Sequence, residues 1–135
     1  MNVVDTSVVT KWFFREPGSD IAVRLLEYER SFYAPDYLRI EFSSNITKKV
    51  RAGYLTVNEG RGRRNDFEKL GLYFELYKEL EGLAFELSTQ YPITYYDALF
   101  VALAFRERVL LYTFDKRLKR SVKETELDKL IVIPS

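Results

Sequence analysis

Residues 94–105 read TYYDALFVALAF and residues 109–113 read VLLYT. In the first run, Thr94 predicts a helix start, and the following side chains are apolar on all sides, which is typical of a buried helix. The second run is short, apolar and rich in β-formers, so it predicts a buried strand. A buried helix that leads into a buried strand favours an α/β domain with a largely parallel sheet.

The rest of the chain continues this alternation of strands and helices. We predict further strands at residues 1–5, 32–34, where Pro35 ends the strand, 72–77 and 130–133. We predict a short helix through residues 8–13 with Thr6 or Ser7 as its cap, and further helices from 19, at 36–51, from 56, at 78–89 and at 115–122. Two glycines, at 60 and 62, weaken the prediction of the helix from 56. No linker or repeat interrupts the pattern, so we expect a single domain spanning residues 1–135.

The chain of 135 residues contains no Cys and no His. Thiolate nucleophiles, disulfides, imidazole bases and Ser-His-Asp triads are therefore excluded, and a zinc site is disfavoured. Enzymatic chemistry must then use carboxylates, hydroxyls, Lys, Arg, Tyr or a bound cofactor. The metals suited to such oxygen ligands are Mg²⁺ and Mn²⁺.

Net charge and hydropathy are ordinary for a globular protein. The net charge is +1, from 21 basic and 20 acidic residues, so total charge carries no argument for nucleic-acid binding. The apolar stretch at the N-terminus is too short for a signal peptide, because Asp5 ends it. No apolar run approaches the roughly 20 residues that span a bilayer. We expect a cytoplasmic protein without a membrane partner.

Four acidic residues lie where the predicted elements meet one edge of the sheet. Asp5 follows the first strand and Asp115 follows the strand at 109–113, so both should project from the carboxyl edge, where ligands bind in such folds. Asp97 lies in the first turn of the buried helix, and Glu41 lies beside the apolar face of its own helix.

Each acid by itself has a simpler interpretation. Asp97 and Asp115 suit helix starts, and Asp5 suits a turn after a strand. Glu41 suits a solvated helix surface. Together, however, four carboxylates at one edge repel one another unless a cation neutralises them. One or two Mg²⁺ or Mn²⁺ ions would do so, and would acidify a water into a nucleophile without a histidine base.

Four segments resemble, in order and spacing, the motifs of PIN-domain proteins of the VapC toxin type. The segments are residues 3–13, 34–45, 96–104 and 111–118, whereas residues 54–92 match no motif of that family. The resemblance implies a PIN-like three-layer fold and a metal-dependent endoribonuclease that hydrolyses RNA phosphodiester bonds. It also implies a homodimer and a toxin of a type II toxin–antitoxin pair, whose antitoxin inserts a segment near the site.

The family's site residues carry over position by position. The implied catalytic and Mg²⁺- or Mn²⁺-binding acids are Asp5, Glu41, Asp97 and Asp115. Thr113 matches a catalytic hydroxyl position beside the fourth acid. Thr6 and Asn45 are implied partners that orient the ligands.

Two basic clusters are candidates for contacts with RNA. The cluster that directly follows Asp115 is favoured by its position, and its members are Lys116, Arg117, Lys119 and Arg120. For the basic residues between 48 and 64, a solvated helix face is the better interpretation.

Three other functions stay open at this stage. One is a PIN nuclease of RNA processing. Another is a non-catalytic PIN module that binds RNA or protein, although such a module has no need of four clustered acids. An aspartyl-phosphate phosphatase is disfavoured, because that chemistry needs a second Asp two residues after the nucleophile and position 7 is Ser.

Overall fold

Five short parallel strands form one sheet in the computed structural model, which describes residues 1–135. They are β1 (Val3–Val4), β2 (Tyr33–Pro35), β3 (Tyr73–Glu75), β4 (Leu111–Tyr112) and β5 (Ile131–Val132). The strand order is β3-β2-β1-β4-β5, and Val3 of central β1 lies opposite Tyr33 of β2 and Leu111 of β4. Because all strands run the same way, the segments after β1 and β4 meet at the carboxyl edge.

Seven α-helices connect and flank these strands. They are α1 (Thr6–Phe13), α2 (Ser19–Tyr28), α3 (Tyr37–Arg51), α4 (Val57–Glu68), α5 (Tyr77–Gln90), α6 (Tyr95–Glu107) and α7 (Lys116–Ser121). A 3-10 turn at Asp128–Leu130 precedes β5. None of the helices combines the length and the apolarity needed to cross a membrane.

The hydrophobic core is built around the sheet and α6. Every residue of α6 from Ala98 to Ala104 is buried, as the all-apolar pattern predicts, and Phe105 is 38% exposed where the helix approaches its end. The α6 residues belong to one cluster of 27 buried side chains together with those of β1, β4 and β5. The core therefore fixes the first turn of α6 relative to the carboxyl edge of the sheet.

The predicted α/β architecture with a parallel sheet is confirmed, and the differences are local. The cap of α1 is Asp5, not Thr6 or Ser7, because the Asp5 carboxylate accepts the backbone N–H groups of Ser7 and Val8. Pro35 does not stop β2 but forms its last residue, which is possible because a strand end needs no donor there.

The helix from 56 forms despite its two glycines. Thr56 and Glu59 make a reciprocal capping box at its start. Gly60 is buried, and a side chain there would meet Val50 and Ile46 at 3.1 and 3.2 Å. Gly60 thus allows α4 to approach α3 closely, so the glycine that weakened the prediction has a packing role.

Candidate active site

Asp5 is partly buried at the carboxyl end of β1, and both of its carboxylate oxygens accept hydrogen bonds from the protein. Its Oδ1 accepts the backbone N–H of Ser7 at 3.0 Å and that of Val8 at 3.3 Å, together with the Ser7 hydroxyl. Its Oδ2 accepts the hydroxyl of Thr113. Asp5 is therefore held in one orientation by α1 on one side and the end of β4 on the other.

Two hydroxyl groups tie Asp5 to the segment that carries Asp115. Thr113 is fully buried, and its Oγ1 accepts the backbone N–H of Asp115 at 3.0 Å while its hydroxyl donates to Asp5. The hydroxyl of Ser7 donates to Asp5, and its oxygen accepts the backbone N–H of Phe114 at 2.9 Å. Thr113 was predicted, whereas Ser7 was missed. The Asp-Thr-Ser sequence, with Ser two residues after the cap, was the signal for it.

Glu41 reaches the same region from α3. Its Oε1 accepts the hydroxyl of Thr6, which is buried, at 2.6 Å. Thr6 thus orients a carboxylate, as the family resemblance implied. Asn45, one turn further along α3, is partly buried and makes no hydrogen bond, so its predicted role has no contact to support it.

Asp97 and Asp115 both lie at helix starts. Asp97 is the third residue of α6, where its backbone N–H donates to the hydroxyl oxygen of Thr94 at 3.1 Å and its carboxylate has no partner beyond that hydroxyl. Asp115 is the cap of α7, and its Oδ1 accepts the N–H groups of Arg117 and Leu118. The simpler interpretation of Asp115 as a cap is therefore correct, but it uses only one of the two carboxylate oxygens.

The charges of these four acids affect one another, and each of the affected pairs includes Asp97. Burial raises the pKa of Asp5 from 3.8 to about 6 against its hydrogen bonds to Ser7 and Thr113, which lower it; the charge of Asp97 adds to the rise. Burial also raises the pKa of Glu41, to which Asp97 again contributes. Burial and the charge of Asp115 raise the pKa of Asp97 itself. The fold has thus brought together the four acids that the sequence singled out.

The chemistry of these donors fits a hard cation, although the side chains do not form a finished cage. No group of three or more acidic side chains stands in an arrangement that would hold a metal ion as it is. Free carboxylate oxygens are nevertheless present on Asp97, on Asp115 and on Glu41. Because like charges in a partly buried site repel, this donor set favours the binding of a cation.

The predicted RNA-binding residues of α7 separate into two groups. Lys119 is used by the fold, because its ammonium donates to the backbone oxygens of Asp128 and Ile131 at 2.6 and 2.7 Å and pairs with the Asp128 carboxylate at 2.8 Å. Exposed residues without a side-chain partner are Lys116, Arg117 and Arg120. Only these three are free to meet a phosphate.

A cavity of about 770 Å³ lies between the end of α1 and α2, where Phe14 and Arg24 contribute to its lining. None of the four acids lines this cavity.

Comparison with known proteins identifies a matching family model and a relative of this chain. The family model described as PIN domain matches residues 3–123. A curated relative, Ribonuclease VapC3 of Pyrobaculum aerophilum, is 30% identical over 121 residues, which cover 86% of this chain and 90% of the relative.

A solved structure shares the fold at lower sequence identity. It is a toxin–antitoxin complex from Klebsiella pneumoniae, which matches with a TM-score of 0.73 and 14% identity over 100% of this chain and 98% of the matched chain. At that identity the likeness supports the fold alone. It extends over the full sheet and all flanking helices.

Proposed function

Because this chain belongs to the PIN domain family, we propose that it is a Mg²⁺- or Mn²⁺-dependent endoribonuclease that hydrolyses RNA phosphodiester bonds. The relative named Ribonuclease VapC3 supports RNA as the substrate class. The single observation that carries the proposal is the convergence of acids at the carboxyl edge of a parallel sheet, where Thr113 links Asp5 to Asp115 and Thr6 holds Glu41.

The proposed metal-binding residues are Asp5, Glu41, Asp97 and Asp115. A bound Mg²⁺ or Mn²⁺ would acidify a water molecule and neutralise charge that develops on the phosphate. The chain's own residues supply the orientation: Thr113 and Ser7 hold Asp5, and Thr6 holds Glu41. The Asp97 carboxylate has no protein partner beyond the Thr94 hydroxyl, so it keeps oxygen lone pairs for a metal ion.

The proposed contacts to the RNA backbone come from α7. Lys116 and Arg117 directly follow Asp115 on an exposed surface, and Arg120 lies one turn further on. Positive side chains next to an acidic site hold the phosphates on either side of the bond to be cleaved. This local arrangement supports RNA binding in a chain whose net charge is only +1.

We further propose that the protein is a homodimeric toxin held inactive by a cognate antitoxin. The proposal is supported by the resemblance to VapC toxins and by the solved structure of similar fold, which is a toxin–antitoxin complex. A short reading frame beside this gene is the place to look for the partner. Its product should co-purify with the chain and inhibit cleavage. Sedimentation of the free toxin should give the mass of a homodimer.

The central test is Asp97→Asn, with cleavage of a pool of single-stranded RNAs as the readout. We expect a loss of more than about a hundredfold, because even residues that merely orient a metal ligand contribute about tenfold to a hundredfold. The fold should persist, since the Asn keeps the shape of the side chain and the N–H that Thr94 caps. EDTA should abolish wild-type cleavage, and added Mn²⁺ should restore it.

A matched control is Asp20→Asn, which changes an exposed acid in the first turn of α2 just as Asp97 lies in the first turn of α6. This variant should cleave like the wild type. Full activity of Asp97→Asn, or of the wild type in excess EDTA, would exclude the mechanism. A wild type that binds RNA but never cleaves it with Mn²⁺ would favour a non-catalytic PIN module instead.

A further inference from the structure

Four tyrosines form a continuous strip of aromatic rings at the surface. Tyr37 and Tyr96 stack with ring centroids 5.4 Å apart and an angle of 22° between their planes. Tyr95 meets Tyr96 edge to face at 6.5 Å, and meets Tyr77 in the same manner at 6.4 Å. The hydroxyls of Tyr77 and Tyr95 are joined by a hydrogen bond of 2.8 Å.

This tyrosine strip, defined by residues 37, 77, 95 and 96, borders the acidic site. Tyr96 directly precedes Asp97 in the first turn of α6. Tyr37 lies four residues before Glu41 in α3, so both side chains belong to one face of that helix. The charges of Glu41 and Asp97 both contribute to the raised pKa of the Tyr37 hydroxyl, after burial as the larger cause. The strip is therefore contiguous with the carboxylates on two separate helices.

The outer ring of the strip is available and held in place. Tyr96 is 58% exposed, yet it is stacked against partly buried Tyr37 on one side and touches Tyr95 on the other. A large aromatic side chain at such exposure gains little from the core. Because its neighbours restrict its rotation, a flat ligand that stacks on it has less side-chain entropy to overcome.

We propose that Tyr96, supported by Tyr37, is a stacking platform for an unpaired base next to the phosphodiester bond that is cleaved. The inference rests on the proposed ribonuclease function and assigns to Tyr96 a specific contact with an unpaired base of the substrate. Aromatic side chains stack on any base, since every base has a π-face, but a base inside a duplex already has both faces covered. The platform thus favours loops and single strands over double-stranded RNA.

Direct binding in EDTA tests the platform without cleavage. The probe is a labelled single-stranded oligoribonucleotide of mixed sequence, compared with an abasic oligomer of the same length and charge. We expect the wild type to prefer the probe with bases by about tenfold, and Tyr96→Ala to lose most of that preference. Binding of the abasic oligomer should not change, because it depends on phosphate contacts. Tyr96→Phe keeps the ring and should bind like the wild type, whereas Tyr96→Leu keeps apolar bulk without a π-face and should behave like Tyr96→Ala.

Tyr28→Ala is the matched control. Tyr28 is 82% exposed at the end of α2. The carboxylate of the next residue, Glu29, accepts the backbone N–H of Asn2, which precedes β1. This end of α2 therefore lies at the amino edge of the sheet, opposite the acids. This variant should keep the full preference for bases. Circular dichroism and thermal melts of each variant separate loss of binding from loss of folding.

Two results would overturn the platform. In one, Tyr96→Ala and Tyr96→Leu keep the wild-type preference for bases. In the other, Tyr96→Ala lowers the mass seen in sedimentation while RNA binding is unchanged, which would make the strip an interface between copies. Failure of the nuclease proposal looks different: the wild type would not cleave with Mn²⁺, yet the base preference would still depend on Tyr96.

Discussion

At the scale of single residues, Asp5 and Asp97 have the same side chain in opposite situations. Both oxygens of Asp5 accept hydrogen bonds from α1 and from Thr113, whereas the carboxylate of Asp97 has no partner beyond the Thr94 hydroxyl. A carboxylate with several hydrogen bonds is fixed in position, and one with few partners can turn towards a cation. We infer that Asp5 is the preorganised ligand of the pair and Asp97 the adaptable one.

The hydroxyl of Thr113 is the most specific positioning group near the acids. Thr113→Val keeps the shape but removes the donor to Asp5 and the acceptor for the N–H of Asp115. We expect Mn²⁺ affinity to fall about tenfold, seen as a higher Mn²⁺ concentration for half-maximal cleavage. Thr113→Ser retains the hydroxyl and should stay near the wild type. Equal Mn²⁺ requirements for the Val variant and the wild type would contradict the positioning role.

The raised pKa of Asp5 makes the metal-free fold sensitive to pH. A folded pKa of about 6 against 3.8 in the unfolded chain means that the folded state holds this proton more tightly. Stability therefore falls as pH rises from about 4 to about 6, by at most about 3 kcal/mol for this one group, and stays lower above that range.

Asp5→Asn is the variant that tests this pH effect. It removes the charge while Thr113 can reverse its hydroxyl to accept from the amide, so the variant should lack the Asp5 part of the fall. In EDTA at neutral pH we expect it to be more stable than the wild type and inactive as a nuclease. Urea unfolding from pH 4 to 8 measures the difference, and parallel curves for the two proteins would disprove the expectation.

At the scale of elements, α7 combines an attachment and an exposed basic surface. Lys119 joins this short helix to the 3-10 turn and to β5 through three oxygen acceptors. Arg120, its neighbour in sequence, is exposed and makes no such contact. Lys119 keeps α7 attached to the rest of the fold, and Arg120 remains available to a ligand.

Lys119→Met and Arg120→Met form a matched pair for this division. Lys119→Met should lower the free energy of unfolding by about 1–2 kcal/mol, because two backbone oxygens lose a charged donor. Arg120→Met should leave stability unchanged but weaken RNA binding and make the salt dependence of binding shallower by about one counterion. Urea unfolding and binding over a range of salt concentrations separate the two effects. The reverse assignment would follow if Lys119→Met changed only the salt dependence.

At the scale of the whole molecule, metal binding and folding are coupled. The acids come from the ends of β1 and β4 and from the starts of α3 and α6, so the site exists only in the folded chain. A ligand that binds only the folded state stabilises it, by about 2.7 kcal/mol at a concentration a hundred times its Kd. We expect Mn²⁺ to raise the melting temperature by several degrees.

The same thermal shift identifies where the ion binds. Asp97→Asn should reduce the Mn²⁺-induced rise, and the Asp20→Asn control should keep it in full. Calorimetry with and without EDTA gives both values. An equal shift in Asp97→Asn and the wild type would place the ion elsewhere in the chain.

Much of the fold was predictable because its signals are local. The all-apolar run of α6 indicates a buried helix, and Thr56 with Glu59 indicates a helix start. Membership of the PIN domain family was also predicted, and it is confirmed by the match over residues 3–123. The identity of the α1 cap was predicted wrongly, because Asp5, Thr6 and Ser7 are all good capping residues and only the backbone geometry selects among them.

The candidate site divides in the same way. The four acids were identified from their places after strands and near helix starts, and their metal-binding role stays a prediction. Thr113 was identified from the resemblance to PIN-domain proteins. The tyrosine strip was not identified, because an exposed aromatic ring and a buried one have the same sequence pattern. Ser7 was not identified as a partner of Asp5 either. The engagement of Lys119 depends on residues nine and twelve positions further along the chain, which no local pattern contains.

The sequence by itself limited the chemistry that is possible: with no Cys and no His, and with acids at strand ends and helix starts, it predicts oxygen ligands and a hard cation. Only the tertiary structure decided which groups meet. The parallel order β3-β2-β1-β4-β5 brings residues 5 and 115 to one edge, and α6 holds Asp97 near enough for its charge to raise the pKa of Asp5 and of Glu41. The physical reason is that residue types and helix caps act over a few positions, whereas charge coupling and ring stacking require distant segments to be packed together.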